Sequence, residues 1–599
     1  MSAERESGLM VNKRKGPRDD RRAGKQNKLL VYALLLIAAF SFRVSVARFL
    51  QNDAPDDGKL YAQIARNVLE QHVYSHATEP PFDPSLIRLP GYPLFLSGVY
   101  SLFGHNDNTA VRIVQALIDT ATCGLIALVA FYWEPDEGRK RASAIAALGL
   151  AAVCPFTTIY VATILTETPT MFLALAMCLT ATLALKATNQ RKTLLLWLAT
   201  GLLAGVAVLF RPDSGLFALA IGITLVVATL ARAGEVKLNS KREEILYRTA
   251  RTSYLGAVFS LAFCLVLVPW AVRNYRVFHL FQPLAPAHAE MPGEFVPRGY
   301  YSWLRTWIDD GRYVGVVLWS LDAAPIKLAD IPDRAFDSAE EKRRVGALLE
   351  KYNHPPEEPD LFTDGPDSKN PPAPEDQSKQ NGNGETGKSH GSKTDQSDEA
   401  NTDEEDSKGD EEDQTDESAP ADQAADQSVE MTPEIDAGFA QLARERVARH
   451  PFRYYVWLPL KRAHSLWFDT HSQYYPFEGD LLPFEDLDHG IQQQYWLPLF
   501  AGLTLIYSLL GIAGGWFLWQ TRNFGARLGV LLAALMIFIR MGFFASLENP
   551  EPRYVVEVFP FLALLPVVYA DASTTGYYLA ALQAACTGFS MPCPLLAVF

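Results

Sequence analysis

The chain has 599 residues, 49% of them hydrophobic, a mean hydropathy of +0.01 and a formal net charge of −14. A strongly apolar part must be offset by a strongly polar one, which excludes an evenly mixed soluble chain. The charge is concentrated: residues 357–436 hold 26 Asp and Glu against 5 Lys, a net of −21, so the remainder carries +7 and is mildly basic.

Taken in order, residues 1–27 form a basic tail, with a cluster from Lys13 to Lys28. The run 28–48 is too long for a cleaved signal peptide and many further runs follow it, so it reads as a membrane span. After Asp56-Asp57-Gly58 the apolar residues Tyr61, Ile64, Ala65, Val68 and Leu69 recur on one helical face, opposite Lys59, Gln63, Arg66, Asn67 and Glu70. That pattern predicts a helix lying in the membrane interface with its apolar face in lipid. Asp56 and Asp57 stand at its N-terminus, either as a helix cap or as groups available for chemistry. A shorter apolar piece at 92–104 is expected to dip into the interface.

Spans of roughly 20 residues are then predicted at 110–132, 142–163, 168–187, 193–210, 213–232 and 254–272. Further spans follow at 495–519, 528–546, 555–573 and, more weakly, 576–597. All six cysteines (Cys123, Cys154, Cys178, Cys264, Cys586, Cys593) lie inside these runs, with neither a disulfide framework nor a zinc spacing. The 357–436 insert has too little apolar surface to offset ordering entropy and is read as disordered. Its flanks, 298–350 and 437–490, are rich in Tyr, Trp and Phe, and Phe439–Arg449 reads as a short helix ended by Pro451. Such aromatics either pack a small extramembrane domain or stack on sugar rings. His450, His464 and His471 lack ligand spacing and are assigned no role. The resulting organisation is a basic cytoplasmic tail (1–27), an N-terminal membrane module (28–275, including an outer loop at 49–109), a large outer loop (276–494) and C-terminal membrane helices (495–599).

Lys and Arg in short loops mark the cytoplasmic side. Arg139–Arg141, Lys186, Arg191, Lys192, Lys237 to Arg251, Arg522 and Arg527 all share the side of the basic tail, whereas the opposite short loops carry Arg211 and Arg553. This puts the N-terminus in the cytoplasm. The outer face then receives Asp56, Asp57, the Arg88–Tyr92 segment, Glu167, Arg211, Arg273 and Arg553. Glu167 sits in the tight turn Leu165-Thr166-Glu167-Thr168-Pro169, either as a helix cap or as a ligand for a cation or a sugar hydroxyl. Each arginine alone reads as a snorkelling span-end residue; several on one face favour an anion site, since the guanidinium fork suits phosphate oxygens. Asp119 and Arg540 lie within spans. Asp119 is either a functional intramembrane charge or a buried hydrogen-bond partner of another helix.

These motifs carry a resemblance. Asp57-x-x-x-Tyr61-x-x-Ile64-Ala65-Arg66-Asn67, Arg88-Leu89-Pro90-Gly91-Tyr92-Pro93-Leu94-Phe95, Leu165-Thr166-Glu167, Leu209-Phe210-Arg211-Pro212, Pro269-Trp270-Ala271-Val272-Arg273-Asn274-Tyr275 and Arg553-Tyr554 occur in an order that resembles the GT-C superfamily of polytopic glycosyltransferases. The chain is similar in particular to bacterial proteins related to dolichyl-phosphate-mannose protein mannosyltransferases and lipid A aminoarabinose transferases. The resemblance covers roughly 28–280 and, more weakly, 440–575. It implies an all-α polytopic membrane protein of the GT-C fold, with about ten to eleven transmembrane helices, an outer interfacial helix and a small extramembrane region.

By the same resemblance the activity is transfer of a sugar from a polyprenyl-phosphate donor to a lipid, glycan or protein hydroxyl, with inversion, on the extracytoplasmic face of the cell (inner) membrane. Asp57 carries over as base, with Asp56 as the second candidate because Gly58 replaces the acidic residue that many relatives place next. Arg88, Arg211, Arg273 and Arg553 are the expected phosphate clamp, and Tyr61 and Tyr92 the expected acceptor contacts. Glu167 and Asp57 are the expected holders of a divalent cation (Mg or Mn), if one is used. No nucleic-acid partner is expected. The alternatives are a transporter or flippase of lipid-linked sugars, resting on Asp119, and a non-catalytic cell-envelope assembly protein.

Overall fold

In the computed structural model the described residues are 17–50, 56–104, 107–231, 240–355, 429–482 and 491–565, with the backbone alone described at 17–29, 491 and 492. The N-terminal half runs α1 (Pro17–Phe49), α2 (Asp56–Glu70), α3 (Gly91–Phe103), α4 (Asn108–Trp133), α5 (Lys140–Ala152), α6 (Pro155–Thr158), α7 (Glu167–Lys186), α8 (Gln190–Phe210), α9 (Gly215–Ala231) and α10 (Lys241–Phe278). The remainder comprises α11 (Arg298–Leu304), α12 (Ala339–Asn353), α13 (Pro433–Arg449), α14 (Leu458–Phe468), α15 (Ile491–Gln520), α16 (Phe524–Ala545), α17 (Arg553–Val556) and α18 (Phe559–Leu564). No strand occurs among the described residues. Eight helices are long and apolar enough to cross a membrane, or nine if the bent pair at 140–161 is one span. These helices make the chain a multi-pass membrane protein.

Helix starts follow local side-chain chemistry. Asp107, Asn189, Ser240 and Asn523 each accept a hydrogen bond from a first-turn amide, satisfying donors that a helix N-terminus leaves bare. The run predicted as one span at 142–163 is instead broken. Pro155 lacks an amide proton and forces Cys154 extended (ψ 111°), and the two pieces meet at 56°. The predicted span 555–573 is described only to 565, where it forms the short helices α17 and α18. The 576–597 span lies outside the described residues.

The tightest contact in the bundle joins α8 to α10. A Cβ at Gly205 would stand 2.6 Å from Val266 Cβ and 2.8 Å from the Phe263 carbonyl oxygen, and Gly201, one turn earlier, meets the Phe259 carbonyl. This G-x-x-x-G spacing lets two helices approach where no water-driven force holds them. Asp119 resolves as a buried pair: Arg43 Nε on α1 meets its Oδ2 at 2.6 Å, while the same guanidinium donates to the Ala151 and Ala152 carbonyls. Three helices are thereby pinned.

The interfacial reading of α2 needs correction. Its apolar face is not in lipid: Ile64 is fully enclosed, and Ala62 and Ala65 are buried against Tyr92, Leu96, Val99 and Tyr100 of α3. The two helices bury each other's apolar stripes, which satisfies the amphipathic pattern without a bilayer. It is α3 that exposes Leu94, Leu102 and Phe103.

A second core is built from α11, α12 and α13 around Tyr300, Trp303, Trp307 and Phe439. Met431 and Ile435, read from sequence as part of the polar insert, belong to this core. The insert therefore ends before them, and α13 begins at Pro433 behind a Thr432 cap, earlier than the predicted Phe439. The residues on either side of the insert adjoin: the Glu430 amide reaches the Tyr352 carbonyl at 3.4 Å and Lys351 pairs with Glu434 at 2.8 Å. Residues 356–428 themselves lie outside the described residues.

Candidate active site

The site forms at one end of the bundle, where α2 starts, α7 starts and α8 ends. Gly91 sets its geometry. A Cβ there would lie 2.6 Å from both the carbonyl carbon and oxygen of Leu209, so only glycine lets the start of α3 rest on the end of α8. The preceding loop is fixed by the Tyr74 hydroxyl, which donates to the Arg88 and Leu89 carbonyls at 3.1 Å. Arg88 is thereby delivered to α2 and Arg211 to α7.

Two tiers of charge result. In the outer tier, Asp57 Oδ1 accepts from Arg88 Nη2 at 2.8 Å and its Oδ2 faces Arg553 Nη2 at 3.5 Å. Arg553 is braced from behind by Glu551 at 2.8 Å and by the Tyr474 hydroxyl at 3.2 Å, and Glu551 in turn accepts from Gln473. The Asp57 side chain is 33% exposed, so this tier is reachable from outside. Burial pushes the Asp57 carboxyl up, but Arg88 and Arg553 outweigh it and hold the group below the usual carboxylate range. Asp56 points away: its side chain is fully exposed and pairs with Lys59 one turn along.

The inner tier is closed. Arg211 reaches Glu167 at 2.7 Å, Asp213 at 3.0 Å and Glu557 at 3.3 Å. Arg540 reaches Asp213 and Glu557, both at 2.9 Å, donates through Nε to the Tyr554 carbonyl, and sits between the rings of Phe217 and Phe544. Two guanidiniums thus hold three carboxylates. Arg540 and Glu557 are completely buried, a placement tolerated in a bundle interior only because each charge is paired.

Of the residues singled out from sequence, Asp57, Arg88, Arg553, Glu167 and Arg211 are brought together. Arg273 is not. Its guanidinium donates to the Ser85 and Tyr74 carbonyls and stacks on Tyr74, Trp270 and Phe278, so it clamps the 71–90 loop onto α10. Tyr92 is also misplaced as an acceptor contact. It is fully buried, its hydroxyl donates to Gln115 Oε1 at 2.8 Å, and its ring supports Tyr61 edge-on at 5.2 Å. Tyr61 stands beside Asp57, and burial pushes its hydroxyl up to about 12, leaving it a neutral donor at physiological pH. Asp213, Glu557, Glu551 and Tyr474 were not singled out. Glu557 offered a signal: a lone carboxylate in an otherwise apolar run.

A divalent cation on Glu167 and Asp57 does not suit these donors. Glu167 Oε1 is taken by Arg211, leaving Oε2 buried without a partner, while Asp57 stands between two guanidiniums. A hard cation wants about six oxygens, and among the described residues no group of three or more His, Cys, Asp or Glu is placed to share one.

Residues 83–270 match the family model described as dolichyl-phosphate-mannose-protein mannosyltransferase. No curated protein matches the chain. The matched stretch contains Arg88, Glu167 and Arg211, whereas Asp57, Arg540, Arg553 and Glu557 lie outside it.

Proposed function

We propose that this GT-C-type membrane glycosyltransferase moves a sugar from a polyprenyl-phosphate donor to an acceptor hydroxyl, with Asp57 as general base. The observation that carries the reading is the open triad of Asp57, Arg88 and Arg553 above the closed Glu167–Arg211 pair. A carboxylate and guanidiniums side by side are what the reaction asks for. The acceptor oxygen attacks the anomeric carbon as its proton passes to Asp57. The bond from that carbon to the phosphate oxygen breaks, and polyprenyl phosphate departs with the electron pair. Phosphate is a weakly basic leaving group and needs no acid, but its growing charge needs fixed cations. A single displacement inverts the anomeric centre.

The basic loops at the far end of the bundle support a cytoplasmic N-terminus, and hence an extracytoplasmic site in the cell membrane. Tyr61, beside Asp57, is the side chain here best placed to meet an acceptor; sugar, glycan, lipid and protein hydroxyls all fit the chemistry. A carrier of lipid-linked sugars is disfavoured because Asp119, the residue that reading needs, is closed in its pair with Arg43.

Purified protein given a labelled polyprenyl-phosphate sugar and acceptor extracts should release polyprenyl phosphate. Asp57→Asn should lower the rate by at least ~100-fold, the usual scale for losing a general base. Full turnover by a correctly folded Asp57→Asn protein would sink the assignment.

A further inference from the structure

The four arginines at the site, and Arg273 beside it, are not equally available. Arg211 and Arg540 are committed to Glu167, Asp213 and Glu557 in the buried tier. Arg273 is spent on carbonyls of the 71–90 loop and on rings of that loop and of α10. Arg88 and Arg553 remain at the opening, and both are held by Asp57.

Their bracing differs. Arg553 has Glu551 and the Tyr474 hydroxyl at its back, so it is a fixed post. For Arg88, the other partner among the described residues is the neighbouring Ile87 carbonyl at 3.3 Å. Turning Arg88 away from Asp57 therefore breaks fewer contacts than moving Arg553 would. The outer tier is also electrically balanced, with Asp57 and Glu551 against Arg88 and Arg553, so an arriving phosphate finds no spare cation and must take one.

We propose that the donor phosphate and Asp57 compete for Arg88 and Arg553, so that donor binding draws Arg88 off the carboxylate and uncovers the base. The inference rests on the donor reading above. Its consequence is order: without donor, Asp57 is occupied and a poor proton acceptor; with donor bound, the cation moves to where the leaving charge will develop, and the carboxylate oxygen that Arg88 vacates faces the acceptor. Premature activation of water is suppressed by the same contact.

The test is binding of long-chain polyprenyl phosphate, the reaction product, to full-length protein in nanodiscs. Asp57→Asn removes the competing charge and should tighten binding by about tenfold; Arg88→Gln should weaken it by about as much, also when combined with Asp57→Asn. If Asp57→Asn binds no tighter than wild type while keeping its unfolding midpoint, the proposal is overturned. Absence of binding by wild type overturns the donor reading itself, and this with it.

Should Asp57→Asn not fold, wild type alone decides, with the methyl ester of polyprenyl phosphate as a probe whose charge is constant with pH. Asp57 faces Arg88 from the loop before α3, Arg553 from α17, Arg211 from the α8–α9 turn and the Tyr61 hydroxyl from its own helix, with Glu551 behind Arg553. Asp57 is the solvent-reachable carboxylate of this set that opposes the phosphate, so binding should tighten as pH falls through the range, below that of an ordinary aspartate, in which Asp57 takes up a proton. A flat response overturns the proposal.

Discussion

Asp56 and Asp57 are adjacent and chemically identical, and a helix start separates their fates. Successive residues of a helix point about 100° apart, so when Asp57 faces Arg88 and Arg553, Asp56 is turned to solvent and Lys59. Asp56→Asn should accordingly leave transfer within about twofold of wild type, as surface substitutions usually do; a large loss in a steady-state assay would exchange the two roles. The pH dependence follows from Asp57 as well. Its carboxyl is held below the usual range by the two arginines, so the ionised base is present at neutral pH and lost only as pH falls through that depressed value. The acid limb of kcat/KM, which reports free enzyme, should lie below the range of an ordinary aspartate. The limb of kcat should lie higher if bound donor draws Arg88 away as proposed.

At the scale of elements, glycines decide how closely helices meet. Gly91 sits against the Leu209 carbonyl group, and the gap it fills fixes where Arg88 and Arg211 emerge. Gly91→Ala should cost about 1–3 kcal/mol through overpacking and should lower activity beyond that, because Arg88 is displaced. Thermal unfolding and transfer assays on the same preparation separate the two effects. The broken run at 142–163 was legible in retrospect, since Pro155 stands in the middle of it. The burial of α2 was not. An amphipathic stripe specifies that one face leaves water but not whether lipid or another helix receives it, and here α3 does.

At the scale of the molecule, two cores share one chain. The membrane bundle holds the site, and α11 to α13 build a helical domain whose sequence is interrupted by the acidic insert. Because Tyr352 and Glu430 adjoin, replacing 357–428 with a short Gly/Ser linker should leave the unfolding midpoint unchanged or slightly higher, since shortening a loop lowers its closure entropy. A clear fall in midpoint by calorimetry would show that the insert contributes to the fold.

Sequence by itself determined most of the long helices, the broken composition and the end of the bundle where the charges gather, because hydropathy period, capping residues and basic loops are all local signals. It also picked out Asp57, Arg88, Glu167, Arg211 and Arg553, each lying in a short motif. Only the tertiary structure decided how those charges pair. Arg540 meets Asp213 across 327 positions of chain, and Arg553 meets Asp57 across 496. Nothing in either local sequence encodes its partner; such pairs exist because helix packing brings distant segments to one place. The same packing set Arg273 and Tyr92 apart from the site, and left Arg88 with fewer braces than Arg553.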